Sequence, residues 1–119
     1  MSYQDVKDRL YHGHRVIAND TRLRLVPGHE YSTEQIEMRL HGYLVARFNP
    51  QYFELFSAGW YSATTKNRLN LALSIARILS PTWKKIYQVD WQWYYGNYHC
   101  YDLKFHDGMK IDYLGKVIS

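Results

Sequence analysis

The sequence predicts an α+β protein, in which a curved antiparallel sheet of five or more strands packs against one principal helix. Changes in hydrophobic period carry this prediction. From residue 14 to residue 56, apolar and polar residues alternate with a period of two, as in β-strands. From residue 65 to residue 79, apolar residues recur at spacings of three and four, as in a helix. After residue 84 the alternation returns, so the helix separates two groups of strands.

Residues that favour turns separate the predicted strands. The strands are expected at 14–18, 21–26, 35–41, 43–48, 52–56, 85–95, 98–105 and 109–114, with a short helix within 3–11. The pairs Asn19-Asp20, Gly96-Asn97 and Asp107-Gly108 predict tight turns, because Asn, Asp and Gly tolerate positive φ. Neighbouring strands joined by turns this short pair antiparallel.

The principal helix is predicted over residues 65–79. Thr64 or Thr65 is expected to cap it, because a threonine hydroxyl accepts a hydrogen bond from the free N–H groups of the first turn. Pro81 limits its extension. Arg68 lies in the middle of the apolar arc when successive residues are placed about 100° apart. An arginine there must pair with a carboxylate such as Glu54 or Asp90, cap carbonyl groups, or reach past the sheet edge.

The core is predicted from the apolar faces of the helix and strands. The residues expected to be mostly buried are Trp60, Leu69, Ala72, Ile75, Ala76, Leu79, Trp91, Trp93, Leu103 and Phe105. The aromatic ladder of Trp91, Trp93 and Tyr95 has two interpretations. It either faces the helix as core, or it forms an exposed platform on which nucleobases stack.

Composition bounds the class of protein. The 119 residues suit a single domain over 1–119. Cys100 is the only cysteine, so no intrachain disulfide forms. No apolar run is long enough for a membrane span, and the first residues lack the apolar stretch of a signal peptide. We therefore expect a cytoplasmic protein. The formal net charge of +4 favours an acidic partner, such as nucleic acid or a nucleotide.

The start of the principal helix is the candidate binding site. Lys66, Asn70 and Arg77 form one stripe along the helix, and a helix N-terminus with nearby cations and hydroxyls suits phosphate. The proposed phosphate-binding residues are Thr64, Thr65, Lys66, Arg68, Asn70 and Arg77. Outward-facing arginines on strands that flank this site are Arg22, Arg24, Arg39 and Arg47. The alternative is purely structural: Arg68 makes a satisfied polar contact at the helix entrance, and Trp60 anchors the core.

Other residue patterns give weaker signals for chemistry. The pair His12 and His14 has a spacing that can chelate a metal, but the sequence shows no carboxylate or cysteine partner for it. Cys100 on a strand is typical of an inert cysteine. A pair of catalytic carboxylates would have to come from Glu54, Asp90 or Asp102, and their spacing does not demand it. No catalytic residue, metal or cofactor is predicted.

The stretch "GWYSATTKNRLN" at 59–70 resembles a signature of small bacteriophage and prophage proteins, roughly Gly-Gly-Trp-x-Thr-x-Thr-Thr-Lys-x-Arg-Ile-Asn. The sequence departs from this pattern at Ala58, Ser62 and Leu69. The segments "ANDTRLRL", "EMRLHGYLVARF" and "FHDGMKI" are similar to flanking segments of the same family. The resemblance therefore covers roughly residues 14–111 as a family-like core, and it implies that 1–12 is a candidate N-terminal extension. It implies a phage-type accessory protein and assigns no catalytic residue.

Together these observations favour a phage accessory protein that binds an acidic partner, nucleic acid or a nucleotide, without catalysis. Counter-defence against the host is one use for such a protein. The first alternative is a protein–protein interaction module or homo-oligomeric inhibitor of a host protein, which would expose aromatic rather than basic residues. The second is a small hydrolase. The salt dependence of binding distinguishes the nucleic-acid function from the protein-interaction alternative. Phosphate binding weakens steeply with ionic strength, whereas binding through an aromatic interface does not.

Overall fold

The protein is described by a computed structural model over residues 3–10, 13–30, 33–76, 84–96 and 102–119. Its elements in chain order are α1 (Tyr3–Lys7), β1 (His14–Ala18), β2 (Thr21–Val26), β3 (Gln35–Leu40), β4 (Tyr43–Phe48), β5 (Tyr52–Leu55), α2 (Ala63–Ile75), β6 (Lys85–Val89), β7 (Gln92–Gly96), β8 (Leu103–Lys104) and β9 (Met109–Asp112). The strands form a six-stranded sheet ordered β1-β2-β3-β4-β5-β9 and a three-stranded sheet ordered β6-β7-β8. All pairings are antiparallel, so the predicted fold class is confirmed.

The two faces of the larger sheet differ in polarity. One cross-strand row on the inner face consists of Leu23, Met38, Ala46, Leu55 and Met109, all of them buried. Helix α2 packs on this face and on β6, and it buries its own apolar stripe of Leu69, Ala72, Leu73 and Ile75. Each fully buried leucine contributes roughly 1.5–3 kcal/mol to this packing. The alternation of apolar and polar residues therefore selects the face that the helix covers.

The outer face of the larger sheet carries charges of alternating sign. The row next to the apolar one runs from Arg24 through Glu37, Arg47 and Glu54 to Lys110. Both Nε and Nη2 of Arg47 donate to Oε1 of Glu54, at 3.1 and 3.0 Å. The carboxylate of Glu54 therefore pairs with its cross-strand neighbour, and the predicted pairing with Arg68 is wrong.

Helix α2 begins earlier than predicted, and a different residue caps it. It starts at Ala63 rather than residue 65, and Ser62 is the N-cap residue, with extended backbone angles. The Ser62 hydroxyl accepts a hydrogen bond from the backbone N–H of Thr65 at 3.2 Å. The prediction that Thr64 or Thr65 caps the helix is therefore wrong, because the helix already begins at Ala63 and both threonines lie within its first turn. The described helix ends at Ile75 with Ala76 as C-cap, and predicted residues 77–79 lie outside the described residues.

The predicted strand at 85–95 is a β-hairpin. Strands β6 and β7 pair in register through Val89 and Gln92, which leaves Asp90 and Trp91 as a two-residue turn with φ of 49° and 68°. Two-residue hairpin loops with positive φ at both positions match the twist of the flanking strands. The sequence does not reveal this turn, because the large apolar side chains of Tyr87, Val89, Trp91, Trp93 and Tyr95 recur at every second position through it, and neither turn residue is glycine.

Six of the ten predicted core residues are buried: Leu69, Ala72, Ile75, Ala76, Trp93 and Phe105. The prediction is wrong for Trp60, Trp91 and Leu103, which are 60%, 92% and 51% exposed. Trp91 occupies the hairpin turn, Leu103 lies on the two-residue edge strand β8, and Trp60 precedes α2 in a loop. Leu79 lies outside the described residues.

The ladder of aromatic residues is consequently divided between core and surface. Trp93 and Tyr95 are only 2% and 3% exposed, as the core interpretation expects, whereas Trp91 is on the surface. The turn predicted at Gly96-Asn97 includes Asn97, which lies outside the described residues; Gly96 is the last residue of β7, and Tyr95 pairs with Leu103. The turns at Asn19-Asp20 and Asp107-Gly108 are confirmed.

Three tyrosine hydroxyls are held by partners from distant parts of the chain. Tyr3 donates to Oε2 of Glu34 at 3.0 Å, and the hydroxyls of Tyr95 and Tyr113 donate to backbone carbonyl groups at 2.8 and 2.7 Å. Burial raises the pKa of all three above the ordinary value of 10.0, and the negative charge of Glu34 adds to the effect at Tyr3.

These raised pKa values predict cooperative unfolding in alkali. The folded protein holds the three protons more tightly than the unfolded chain, so this contribution to stability is complete below about pH 10 and is lost as the pH rises further. Circular dichroism and tyrosinate absorbance should change together in a titration above pH 10. The variant Tyr95→Phe should move that transition to higher pH. A fold that persists while all tyrosines ionise near pH 10 would contradict the prediction.

Candidate functional site

Asn70, predicted to bind phosphate, connects the helix to the smaller sheet. Its Nδ2 donates to the carbonyl oxygen of Ile86 at 2.9 Å, and its Oδ1 accepts from the Ile86 backbone N–H at 2.8 Å. The side-chain amide thus satisfies both backbone groups of one residue on β6, as a neighbouring strand would. This side chain is engaged in holding β6 against α2.

Arg68 also has a partner within the fold. Its Nε donates to Oγ1 of Thr21 at 2.8 Å, and Thr21 is fully buried at the start of β2. Among the residues that the structure describes, no carboxylate oxygen lies within 4 Å of the Arg68 guanidinium. Of the alternatives for Arg68, a carboxylate partner such as Glu54 or Asp90 is therefore wrong, and a satisfied polar contact at the helix entrance is confirmed. The arginine fastens α2 to the turn between β1 and β2.

The other predicted phosphate-binding residues lie in different environments. Thr65 is buried, with its Oγ1 3.1 Å from Oγ of the cap residue Ser62. Thr64 is exposed and Lys66 is half-buried at the start of α2, whereas Arg77 lies outside the described residues. Thr64 and Thr65 line a surface pocket. Phosphate binding by the six residues as a set stays a prediction.

Replacing Arg68 or Asn70 should destabilise the protein. Arg68→Ala removes a charged donor from buried Thr21, and Asn70→Ala leaves the N–H and C=O of Ile86 without their partner. Each change should cost about 1–3 kcal/mol in the free energy of unfolding, measured by urea denaturation. Lys66→Ala, on the same helix, should change it by no more than about 0.5 kcal/mol. An Arg68→Ala protein of unchanged stability that has lost its ligand would instead make Arg68 a binding residue.

A pocket of about 400 Å³ lies between the turn after β3 and the N-terminus of α2. Its floor is apolar and includes the buried side chains of Leu40 and Val45. The rings of Tyr43 and Trp60 stand at its mouth, 54% and 60% exposed. Their centroids are 6.4 Å apart, and their planes are tilted by 51°. We call this feature the aromatic pocket; its size and apolar lining are typical of small-ligand sites.

The loop that places Trp60 at the mouth is tightly braced. The backbone N–H and the hydroxyl of Ser57 donate to the two carboxylate oxygens of Asp107, at 2.6 and 3.1 Å. The Ser57 hydroxyl in turn accepts from the N–H of Gly59 at 3.1 Å. Ala58 and Gly59 both have positive φ, so the chain reverses sharply before Trp60. The exposure of Trp60 therefore follows from a fixed backbone turn.

Hydrogen bonds or the shared lining of the aromatic pocket connect the segments that carry the phage resemblance. Thr21 of "ANDT" contacts Arg68 of the 59–70 stretch, and Asp107 of "FHDG" braces the loop before Gly59. His41 lines the pocket together with Trp60. Four stretches that are far apart in sequence are thus joined by hydrogen bonds or by a shared pocket.

A second surface feature is a groove of about 880 Å³ on the outer face of β2 and β3. Its charged lining residues are three arginines, Arg22, Arg24 and Arg39, and two acidic residues, Asp20 and Glu37; we call it the basic groove. Arg22 lies directly opposite Arg39 in the strand register, an arrangement that is destabilising for like charges. Both Arg22 and Arg24 are exposed.

The three arginines of the basic groove differ in how they are compensated. Arg39 donates from Nε to Oε1 of Glu37 at 3.2 Å and from Nη1 to the carbonyl oxygen of Gly42 at 2.9 Å. Within the described ranges, no carboxylate oxygen lies within 4 Å of the guanidinium nitrogens of Arg22 or Arg24. Arg24 lies opposite Glu37 in the strand register, whereas Arg22 lies opposite Arg39, so Arg22 has the less compensated charge of the two.

The aromatic pocket and the basic groove adjoin at His41, which lines both. This residue follows β3 with a positive φ of 51°, and its Nδ1 lies 3.5 Å from Oδ2 of Asp20. His41 and Tyr43 are not among the site residues predicted from the sequence. Their position beside Gly42, in a turn between two strands, was the available signal.

The carboxylates considered for catalysis lie on separate elements. Glu54 pairs with Arg47 on the larger sheet, Asp90 lies in the β6–β7 turn, and Asp102 accepts a hydrogen bond from Tyr87. In the part of the chain that the structure describes, no three His, Cys, Asp or Glu side chains are grouped to hold a metal ion. His12, the side chain of His14, and Cys100 lie outside that part. None of the described helices is long and apolar enough to span a bilayer.

These surfaces define a small α+β protein with a basic groove beside an aromatic pocket. The chain belongs to the Kyanoviridae Gp96 protein family, whose model matches residues 4–112, and it is therefore a phage protein. No match was found among curated proteins, and none among solved structures. The phage origin implied by the resemblance is confirmed, while the match does not bear on the signature itself.

Proposed function

We propose that this phage protein is a non-catalytic nucleic-acid-binding protein, and that its basic groove holds the sugar–phosphate backbone. The observation that carries the proposal is the opposition of Arg22 and Arg39 on neighbouring strands, where Arg22 has no carboxylate within 4 Å among the described residues. Like charges placed in this way destabilise a sheet, and a bound phosphate between them removes the repulsion.

The chemistry of the groove suits phosphate. A guanidinium group presents a planar fork of donors that matches two phosphate oxygens, and it stays charged at all physiological pH values. Arg22 and Arg24 are two residues apart on one face of β2, so their Cα atoms are separated by about 6.8 Å. Two successive anionic groups of a backbone can therefore be contacted along one strand. The positive net charge of the chain adds a general attraction for polyanions.

A protein of this kind would act in the infected cell by sequestering or shielding a nucleic acid. Counter-defence, in which the nucleic acid is withheld from a host factor, is the use that we propose for it. This use is supported by membership of a phage protein family rather than by the site itself.

One observation favours a second candidate function, recognition of a protein. Trp91 is 92% exposed and occupies a backbone conformation with positive φ, and its neighbour Val89 is 46% exposed. Large exposed aromatic side chains are enriched at protein interfaces. A partner bound through this hairpin tip would be held by apolar contacts, so its affinity would depend little on salt.

Fluorescence anisotropy with labelled oligonucleotides tests the proposed function. Single-stranded and double-stranded oligonucleotides of equal length are titrated with the protein at low and at physiological ionic strength. We expect binding at low salt that weakens steeply as salt rises, because phosphate contacts release counterions. Absence of binding to either oligonucleotide at low salt would remove nucleic acid as the partner and favour the hairpin-tip interface.

A further inference from the structure

We propose that the aromatic pocket receives one unpaired nucleobase from a strand whose backbone lies in the basic groove. This inference rests on the proposed function and extends it, because it makes the protein selective for single strands. The rings of Tyr43 and Trp60 are the two exposed aromatic groups at the mouth of the pocket. At 6.4 Å and 51° they are not stacked on each other, so each can offer part of its face to a flat ligand.

The lining of the pocket favours a neutral, flat ligand. Among the described residues that line it, His41 is the only one that can carry a charge. The floor formed by Leu40 and Val45 is apolar, and the hydroxyls of Ser62 and Thr64 lie at the side where α2 begins. Hydroxyl groups of this kind can hydrogen-bond to the edge of a base. A phosphate, by contrast, would find no arginine or lysine among these residues.

The position of the pocket supplies the link to the groove. His41 lines both features, so a strand that follows Arg24 and Arg22 arrives at the mouth of the pocket. Proteins that bind single strands combine such a positively charged groove with aromatic side chains on which bases stack. The braced turn fixes the backbone that precedes Trp60 before a ligand arrives, which reduces the ordering cost of binding.

Selectivity for single strands follows from this geometry. A base in a duplex is stacked and paired, and it must be extracted before it can enter a pocket. The groove alone contacts the backbone, which both kinds of nucleic acid present. The pocket therefore adds affinity for a single strand and none for a duplex.

The test compares three tryptophan variants in the oligonucleotide titrations. Trp60→Ala should weaken single-strand binding about tenfold, within the range found for loss of one base–aromatic contact, and should leave duplex binding and salt dependence unchanged. Tyr43→Ala should act in the same direction. Trp60→Phe keeps an aromatic face and should retain most of the affinity. Trp91→Ala removes a still more exposed tryptophan, in the β6–β7 turn outside the aromatic pocket, and should change neither affinity. Because Trp60 is exposed, each variant is expected to fold, which circular dichroism checks.

The outcomes distinguish this inference from the function on which it rests. Single-strand binding that depends on salt but is equal in the wild-type protein, Trp60→Ala and Tyr43→Ala would overturn the base pocket and leave the basic groove standing. Equal weakening of single-strand and duplex binding by Trp60→Ala would also overturn it. Absence of any oligonucleotide binding by the wild-type protein would overturn both.

Discussion

Replacing Trp93 by alanine should lower the free energy of unfolding by about 3–5 kcal/mol, the cost of truncating a large aromatic side chain in a core. The indole of Trp93 is 2% exposed. It lies 4.8 Å from the ring of Tyr61 at an angle of 61°, and 5.7 Å from the ring of Phe105. Neighbours of this size cannot close the space that alanine would leave. Urea denaturation measures the loss.

The matched control is Trp91, two residues earlier in the same hairpin. It is 92% exposed and has a φ of 68°, so Trp91→Ala should change the free energy of unfolding by no more than about 0.5 kcal/mol. Trp91→Gly should stabilise the protein slightly, because glycine adopts positive φ without a steric penalty. Equal destabilisation by Trp93→Ala and Trp91→Ala would mean that the strand is continuous through residues 85–95, as the alternation alone predicts.

Reversing the charges of Arg22 and Arg24 in the basic groove should nearly abolish nucleic-acid binding. In the double variant Arg22→Glu and Arg24→Glu, two contacts to phosphate become two repulsions at the surface where the backbone is expected to lie. We expect the affinity at low salt to fall roughly a hundredfold, about 2.7 kcal/mol. Both side chains are exposed, but Arg24→Glu places a second carboxylate opposite Glu37, so circular dichroism is used to check that the double variant is folded.

A control of equal net charge separates groove contacts from general attraction. The double variant Lys104→Glu and Lys116→Glu changes two exposed lysines outside the basic groove. Each pair of replacements lowers the formal net charge from +4 to zero. The lysine variant should lose only the part of the affinity that comes from long-range attraction. A similar loss in both variants would show that net charge, and not the basic groove, drives association.

The architecture was predictable because it follows from local patterns. Alternation places Ile36, Met38 and Leu40 on one face of β3, and all three are buried there. The turn at Asn19-Asp20 was predictable because these residues tolerate positive φ, and Asp20 has a φ of 52°. The hairpin turn at Asp90-Trp91 was not, because its position is set by pairing between strands whose side chains alternate without interruption.

Arg68 and Asn70 show what a helical pattern can and cannot predict. The position of Arg68 within the apolar arc correctly indicated that its guanidinium needs a partner inside the protein. The partner itself, Thr21, is 47 residues away in sequence, and helical periodicity carries no information about it. Asn70 lies on the polar side of the helix, where periodicity cannot distinguish a solvent-exposed amide from one bonded to a neighbouring strand.

The candidate site was predicted only in part, since it depends on contacts between distant segments. The outward direction of Arg22 and Arg24 followed from alternation in β2 and agrees with their exposure. The aromatic pocket could not be predicted from local patterns, because it forms only where the turn after β3 lies beside the loop before α2. Trp60 was predicted to be core because aromatic rings usually bury a large area, but the reversal at Ala58 and Gly59 directs it to the surface.

The salt dependence of single-strand binding tests the central claim most directly. The logarithm of the affinity is measured against the logarithm of the salt concentration for the wild-type protein and for the double variant Arg22→Ala and Arg24→Ala. Each phosphate contact on a single strand contributes about 0.7 to the slope, so loss of two contacts should flatten it by about 1.4. If the basic groove holds the backbone, the variant shows this flatter slope, and Lys104→Ala, outside the groove, keeps the wild-type slope. An unchanged slope in the arginine variant would contradict the assignment of the groove as a nucleic-acid-binding surface.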